Sequence, residues 1–203
     1  KQAIMAVRRA VELGINVFDT ADVYGLGRSE EVLSRALGSR RREMIIVSKC
    51  GINWRPSSTG NRVKTFRDCS ANHIMTSVEG SLMRLRLESI PVYLLHWPDP
   101  TTPIEESVEA LMKCQREGKI RYFGFSNFGI DLLAQVGSSL KSVVIETSLN
   151  LISSSPRLDV IPYADKAGWG VLCYGALAQG ALTGKYSIDS KFSETDRRHR
   201  LGH

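Results

Sequence analysis

Apolar residues recur along this chain in two alternating rhythms. Over Gln2 to Leu13, Ala3, Ile4, Val7 and Val11 fall at the spacing of one helix face, and Gly14 supplies a stop. A short apolar run at Asn16 to Asp19 then reads as a strand, Ser29 to Leu37 as a helix closed by Gly38, and Met44 to Ser48 as the next strand. Ser70 is placed to cap a helix whose buried stripe is Ile74, Val78, Leu82 and Leu85, and a strand at Val92 to Leu95 follows it. Thr102-Pro103-Ile104-Glu105 combines an N-cap hydroxyl, proline at the first helical position and an acid at the third, a capping box ahead of Val108 and Leu111. Gly118 ends that helix, and Arg121 to Phe125 is again strand. Two further units place strands at Val143 to Glu146 and Gly170 to Tyr174, with Gly168 stopping the helix between them.

This alternation is what a parallel sheet with crossover helices requires, and strands so short and apolar suit a barrel interior. Six strands are legible. The segment Asn53 to Arg67 is the longest insertion between elements; polar and bearing Gly, Ser and Pro, it reads as a loop able to cover a site. Ser187 to His203 is charged, lacks apolar periodicity and reads as a mobile tail. At 203 residues, one domain over the whole chain is the expectation.

Composition and charge narrow the partners. With 42% hydrophobic and 24% charged residues the chain is ordinary for a globular protein. Its apolar runs fall short of the roughly 18 to 20 residues of a membrane span, and no signal peptide opens it, so a membrane role is not expected. Cys50, Cys69, Cys114 and Cys173 are scattered, without a C-x-x-C pair or histidines at ligand spacing. The expectation is no metal site, and four reduced thiols in a cytoplasmic protein. The net charge of +6 is carried by Arg40-Arg41-Arg42, by Arg84 with Arg86, and by Arg197-Arg198-His199-Arg200. No aromatics interleave these clusters, which favours solvated loops and an anionic small ligand over nucleic acid.

Polar residues stand at the C-terminal end of every strand: Asp19, Lys49, His96, Ser126 with Asn127, Glu146, and Tyr174. In a parallel βα barrel those ends converge on one mouth. Asp19, Tyr24, Lys49 and His96 then form a proton-transfer set. A phenol beside an ammonium that a carboxylate holds, with an imidazole close by, can protonate a carbonyl oxygen while something else delivers hydride to carbon. Plainer readings compete. Asp19 alone is an ordinary capping carboxylate, His96 a core histidine, and Ser126 with Asn127 a cap of the following helix. Cys50 beside Lys49 is a candidate reactive thiol. Trp54 and Trp97 are candidate substrate contacts, Trp54 equally a residue that pins its loop.

At these residues the chain resembles the aldo-keto reductase family, from near Ala3 to about Tyr186. The motifs are Phe18-Asp19-Thr20-Ala21 with Tyr24-Gly25, Ser48-Lys49-Cys50-Gly51, Leu95-His96-Trp97-Pro98-Asp99, Gly118-Lys119-Ile120-Arg121 with Gly124-Phe125-Ser126-Asn127-Phe128, and Leu182-Thr183-Gly184-Lys185-Tyr186. The resemblance implies a TIM (β/α)8 barrel, of which six strands are recognisable here. It also implies a nicotinamide dinucleotide held without a Rossmann fold, in keeping with the lack of a G-x-G-x-x-G.

It further implies roles. Tyr24 would be the general acid, Lys49 paired with Asp19 would lower its pKa, and His96 would orient and polarise the carbonyl. Ser126 and Asn127 match positions that hold the nicotinamide carboxamide, and Tyr174 the aromatic on which the ring stacks. Gly175 to Gly180, with Leu177 and Gln179, would follow the pyrophosphate, assisted by Lys185. NADP is the family expectation, with NAD open. The chain departs from the family at Glu146, where glutamine is usual, and in the first and last strands, expected before Lys1 and after His203. Without them, sheet edges would lie open at the Asp19 and Tyr174 strands. The implied activity is reduction of a small aldehyde or ketone with NADPH. The rivals are a cofactor-sensing regulatory subunit of the channel β-subunit type and an inactive fragment. Oligomeric state has no signal in the sequence.

Overall fold

Period-two alternation decides what each strand presents to the two sides of its sheet. In the computed structural model, Ile46, Tyr93, Leu95, Phe123, Phe125 and Ile145 face one side, packed with Ile74, Val78, Leu85, Leu111, Leu133 and Ala164 of the helices. The residues between them, Val47, Val92 and Leu94, face the other side and pack with Val144 and Leu172. Strands apolar on both faces are those of a sheet covered by crossover helices.

The structure describes residues 2–56, 63–187, 189–194, 196, 198 and 199. In chain order its elements are α1 (Gln2–Glu12), β1 (Val17–Asp19), α2 (Arg28–Leu37), β2 (Ile45–Cys50), β3 (Ile52–Pro56), β4 (Val63–Arg67), α3 (Ala71–Leu85), β5 (Ile90–Leu95), α4 (Ile104–Arg116), β6 (Ile120–Ser126), α5 (Ile130–Val136), β7 (Val143–Ser148), α6 (Val160–Ala167) and β8 (Gly170–Tyr174). Six of the strands pair in parallel in the order β1-β2-β5-β6-β7-β8, a curled part of a βα barrel. Close approach of β6 and β7 depends on Gly124, where a Cβ would lie 1.7 Å from the Val144 carbonyl oxygen.

Helix limits follow their chemistry. Ser70 caps α3, its hydroxyl accepting from the His73 N–H at 3.4 Å. Gly168 closes α6 at φ 70°, a left-handed conformation that costs glycine little. The capping box at Thr102 does not form. Pro103 occupies the cap position of α4, and the Thr102 hydroxyl donates to Asp99 Oδ2 at 2.7 Å instead. Asp99 also accepts from Thr101 and from the Cys69 N–H, so it takes the hydroxyl the cap would need.

The segment after Lys49 is not a plain loop. β3 and β4 pair antiparallel from Ile52↔Arg67 to Pro56↔Val63, which sets Trp54 opposite Thr65. Residues 57–62 lie outside the described residues. The expectation of a mobile tail also falls partly outside them. Within the described part, the Arg198 guanidinium lies 4.6 and 4.3 Å from the ring centroids of Tyr186 and Phe192 and is bound by both Asp196 oxygens. No described helix is long and apolar enough to cross a membrane.

Candidate active site

Lys49 follows Val47 in phase and so enters the interior of the curl from β2. Its side chain is 1% exposed. A buried ammonium needs compensation, and two hydrogen-bond acceptors and a second carboxylate in ion-pair distance supply it. They are Asp19 Oδ1 at the end of β1, the Thr20 carbonyl at 3.0 Å, and Glu146 Oε2 of β7 at 3.3 Å. The pairing of Lys49 with Asp19 is thus present. Glu146 is a second counter-ion, and burial pushes its carboxyl above the usual range against the opposing pull of Lys49.

Tyr24 sits in the turn between β1 and α2. Its N–H donates to the Ala21 carbonyl at 3.2 Å, and its own carbonyl accepts from the Ser29 N–H at 3.1 Å. The ring is 43% exposed toward the mouth. Tyr24 Oη lies 3.5 Å from His96 Nε2, and Lys49 Nζ is 5.8 Å from the Tyr24 ring centroid. Burial lowers the His96 pKa to about 4, with the Lys49 ammonium pushing the same way, so the imidazole is neutral at pH 7. His96 is buried, with its Nε2 turned toward the Tyr24 phenol. Asp19, Thr20 and Tyr24 also line a cleft of ≈ 490 Å³ at the β1 edge, with Phe18 and Arg28.

Ser126 and Glu146 are register partners on β6 and β7, with Ser126 Oγ 3.4 Å from Glu146 Oε1. Asn127, at φ 63°, donates to the His96 carbonyl at 3.0 Å and to Ser126 Oγ at 2.9 Å, and accepts from Tyr174 Oη at 2.5 Å. One amide thus ties the ends of β5, β6 and β8. Neither Ser126 nor Asn127 caps the next helix, because Gly129 holds that position in α5. Tyr174 remains 40% exposed at its strand end.

Gly175, Leu177, Gln179 and Gly180 lie in the turn after β8. Gln179 and Gly180 both have positive φ, 55° and 102°. The Ala178 and Gly180 N–H groups donate within the turn, to the carbonyls of Gly175 and Leu177. Lys185 places its ammonium 5.7 Å from the Tyr186 centroid. Trp97 follows His96 at the mouth, with the Arg67 guanidinium 5.6 Å from its ring centroid, while Trp54 stands on the hairpin. The reactive-thiol reading of Cys50 fails. Cys50 points to the opposite side from Lys49, is fully buried, and has its thiol pushed well above the ordinary range, chiefly by that burial.

Sequence reading missed two participants. The Thr20 carbonyl is backbone and leaves no side-chain signal. Asn150 holds the turn after β8 by donating to the Gly175 carbonyl at 3.2 Å, while its own Oδ1 accepts from the N–H groups of Ile152 and Ser153. An Asn followed by Ser-rich turn sequence was its only signal.

The model of the Aldo/keto reductase family matches residues 1–203. The chain belongs to the aldo/keto reductase family. An aldo-keto reductase of Bacillus subtilis is 34% identical to it over 201 residues, covering 98% of this chain and 59% of the relative. The NADH-specific methylglyoxal reductase of Escherichia coli is 33% identical over 194 residues, covering 92% of this chain and 60% of the relative. A probable voltage-gated potassium channel subunit beta of Oryza sativa is 30% identical over 208 residues, covering 95% and 61%. Among solved structures, a glycerol dehydrogenase from Gluconobacter oxydans superposes with a TM-score of 0.87 at 39% identity, over 97% of this chain and 59% of its own. An aldo/keto reductase from Klebsiella pneumoniae in complex with NADP and acetate superposes at 0.74 and 29% identity, over 93% and 63%. The chain therefore spans about three fifths of the length of the curated relatives it matches. For this aldo/keto reductase the TIM-barrel expectation holds, with six parallel strands of the barrel present.

Proposed function

We propose that this aldo/keto reductase is an oxidoreductase that reduces a small aldehyde or ketone to the alcohol with NADPH, Tyr24 acting as general acid. The observation that carries this reading is the placement of Tyr24 Oη 3.5 Å from His96 Nε2, beside a Lys49 ammonium buried between carboxylates.

The donor set fits a nicotinamide. Ser126 hydroxyl, Asn127 amide and Glu146 carboxylate lie together at adjacent strand ends, complementary to a carboxamide that both donates and accepts. The half-exposed Tyr174 ring offers a flat face beside them. When bound, the dinucleotide would supply hydride to the carbonyl carbon. The turn Gly175 to Gly180 and Lys185 would face its phosphates. NADP is supported by the Klebsiella neighbour, and the NADH-specific relative keeps NAD as the alternative.

The chain's own residues supply the rest. Tyr24 gives its phenolic proton to the carbonyl oxygen as negative charge develops there. The field of Lys49 stabilises the phenolate left behind, and Asp19 holds Lys49 in place. Neutral His96 donates a hydrogen bond to the same oxygen without adding charge, and Trp54 and Trp97 border the substrate space. Buried, unpaired Cys50, Cys69 and Cys114 suit a reducing compartment such as the cytoplasm.

The relative from Oryza sativa favours one alternative, a dinucleotide-binding regulatory subunit with little turnover. Steady-state assay of the full-length protein against a panel of aldehydes with NADPH separates the two. Turnover of about 1 s⁻¹ or more, within the ordinary enzyme range, supports the reductase. Binding of NADPH without turnover on any substrate supports the regulatory subunit.

A further inference from the structure

An ammonium has three N–H donors. Two of those of Lys49 go to Asp19 Oδ1 and the Thr20 carbonyl, while Glu146 Oε2 lies 3.3 Å from the ammonium as an ion pair without hydrogen-bond geometry. Glu146 is the buried carboxylate of this set, at a position where the resemblance to the family implies glutamine. It reaches Lys49 across the interior of the curl, since β5 and β6 lie between β2 and β7. Its other oxygen lies 3.4 Å from Ser126 Oγ, at the strand ends where the nicotinamide would sit.

Charge counting gives the consequence. Two carboxylates, Asp19 and Glu146, face one ammonium, Lys49, and His96 adds no charge because burial keeps its imidazole neutral. Arg28, on the outer lip of the cleft, is exposed and screened by water. Asp19 is likewise exposed, its side chain at 47%, so the buried charges are the Lys49 ammonium and the Glu146 carboxylate, which offset one another. A glutamine at position 146 would make the site one unit more positive.

We propose that Glu146 sets the redox preference of the site. By offsetting the buried Lys49 ammonium that would otherwise repel a cation, its carboxylate holds an oxidised, cationic nicotinamide ring more tightly, relative to a reduced, neutral one, than an uncharged side chain would. The inference rests on the reading that these strand ends take a nicotinamide dinucleotide. Its physical basis is the attraction of a unit charge within a few ångströms in a partly desolvated site, enough for a preference of about tenfold. It makes Glu146 a residue that favours alcohol oxidation, or slows release of the oxidised dinucleotide, relative to a chain with glutamine there.

The test is calorimetric titration of the full-length protein and of Glu146→Gln with NADP⁺ and NADPH, and with NAD⁺ and NADH in parallel. The expected result is a ratio of reduced to oxidised Kd that falls about tenfold in Glu146→Gln. Glu146→Asp, which keeps the carboxylate, should retain most of the preference. A purely structural role would weaken both forms alike, and an unchanged ratio with both forms bound overturns this inference alone. Failure of the unmodified protein to bind either form overturns the nicotinamide reading and this inference with it. Because burial raises the Glu146 pKa, the ratio on the unmodified protein should also fall as the pH is lowered and Glu146 takes up a proton beside Asp19, Lys49, Ser126 and His96.

Discussion

Tyr24 and His96, 72 residues apart, meet edge to face, with ring centroids 5.5 Å apart, an interplanar angle of 78° and Oη 3.5 Å from Nε2. The imidazole of this pair is neutral. Burial and the adjacent Lys49 hold the His96 pKa at about 4, so no imidazolium faces the phenol at pH 7. That leaves Lys49 as the cation that acts on Tyr24.

A histidine kept neutral in the fold destabilises it in acid. The unfolded chain takes up the proton near pH 6.5, the folded one only near pH 4. Its contribution is intact above pH 6.5 and is lost as pH falls toward 4, by up to about 3 kcal/mol. Urea denaturation at stepped pH should show His96→Gln losing stability less steeply than the unmodified protein across this window. Parallel curves would remove the effect.

Asp22 titrates in the opposite sense. It is buried, and among the described residues neither carboxylate oxygen has a hydrogen-bond partner in good geometry. Burial first, then Glu30 of α2, raises its pKa from 3.8 to about 7, against the lowering effects of the Val23 N–H, Arg84 and the Ser77 hydroxyl; Cys50 and Tyr93 face it from β2 and β5. Stability tied to this group is full below pH 3.8 and lost as pH rises through 7. Asp22→Asn should therefore raise the unfolding free energy at pH 8 by up to about 4 kcal/mol and leave it nearly unchanged at about pH 4. A gain of equal size at both pH values would contradict this.

Asn127 combines three side-chain hydrogen bonds with a left-handed backbone at φ 63°. Asn127→Ala loses the bonds and adds conformational strain, an expected cost of about 2–4 kcal/mol. Asn127→Gly, free of the strain, should recover about 1 kcal/mol of it. Urea midpoints of the two variants measure the difference, and identical midpoints would remove the backbone argument.

Strand phase makes most of this site legible in the sequence. Lys49, Ser126 and Glu146 sit at strand ends in phase with interior residues, and alternation alone puts them on one face. Contacts across the curl are not legible there. Lys49 meets Glu146 over two intervening strands, a relation that comes from sheet curvature rather than from any local pattern. The β3–β4 hairpin escapes because β4 buries no face. Its five residues are all exposed, held by the ladder and by stacking such as that of Arg55 on Phe66 at 5.5 Å. The capping box fails for a related reason, since Asp99 competes for the Thr102 hydroxyl only once the chain has turned.

The central claim is that Tyr24 delivers the proton. Tyr24→Phe in the full-length protein removes one oxygen and leaves the nicotinamide contacts in place. Turnover of an aldehyde substrate should fall by at least about 10²-fold, the lower range for loss of a general acid, while the Kd for NADPH changes by no more than a few fold. Near-normal turnover in that variant would contradict the account.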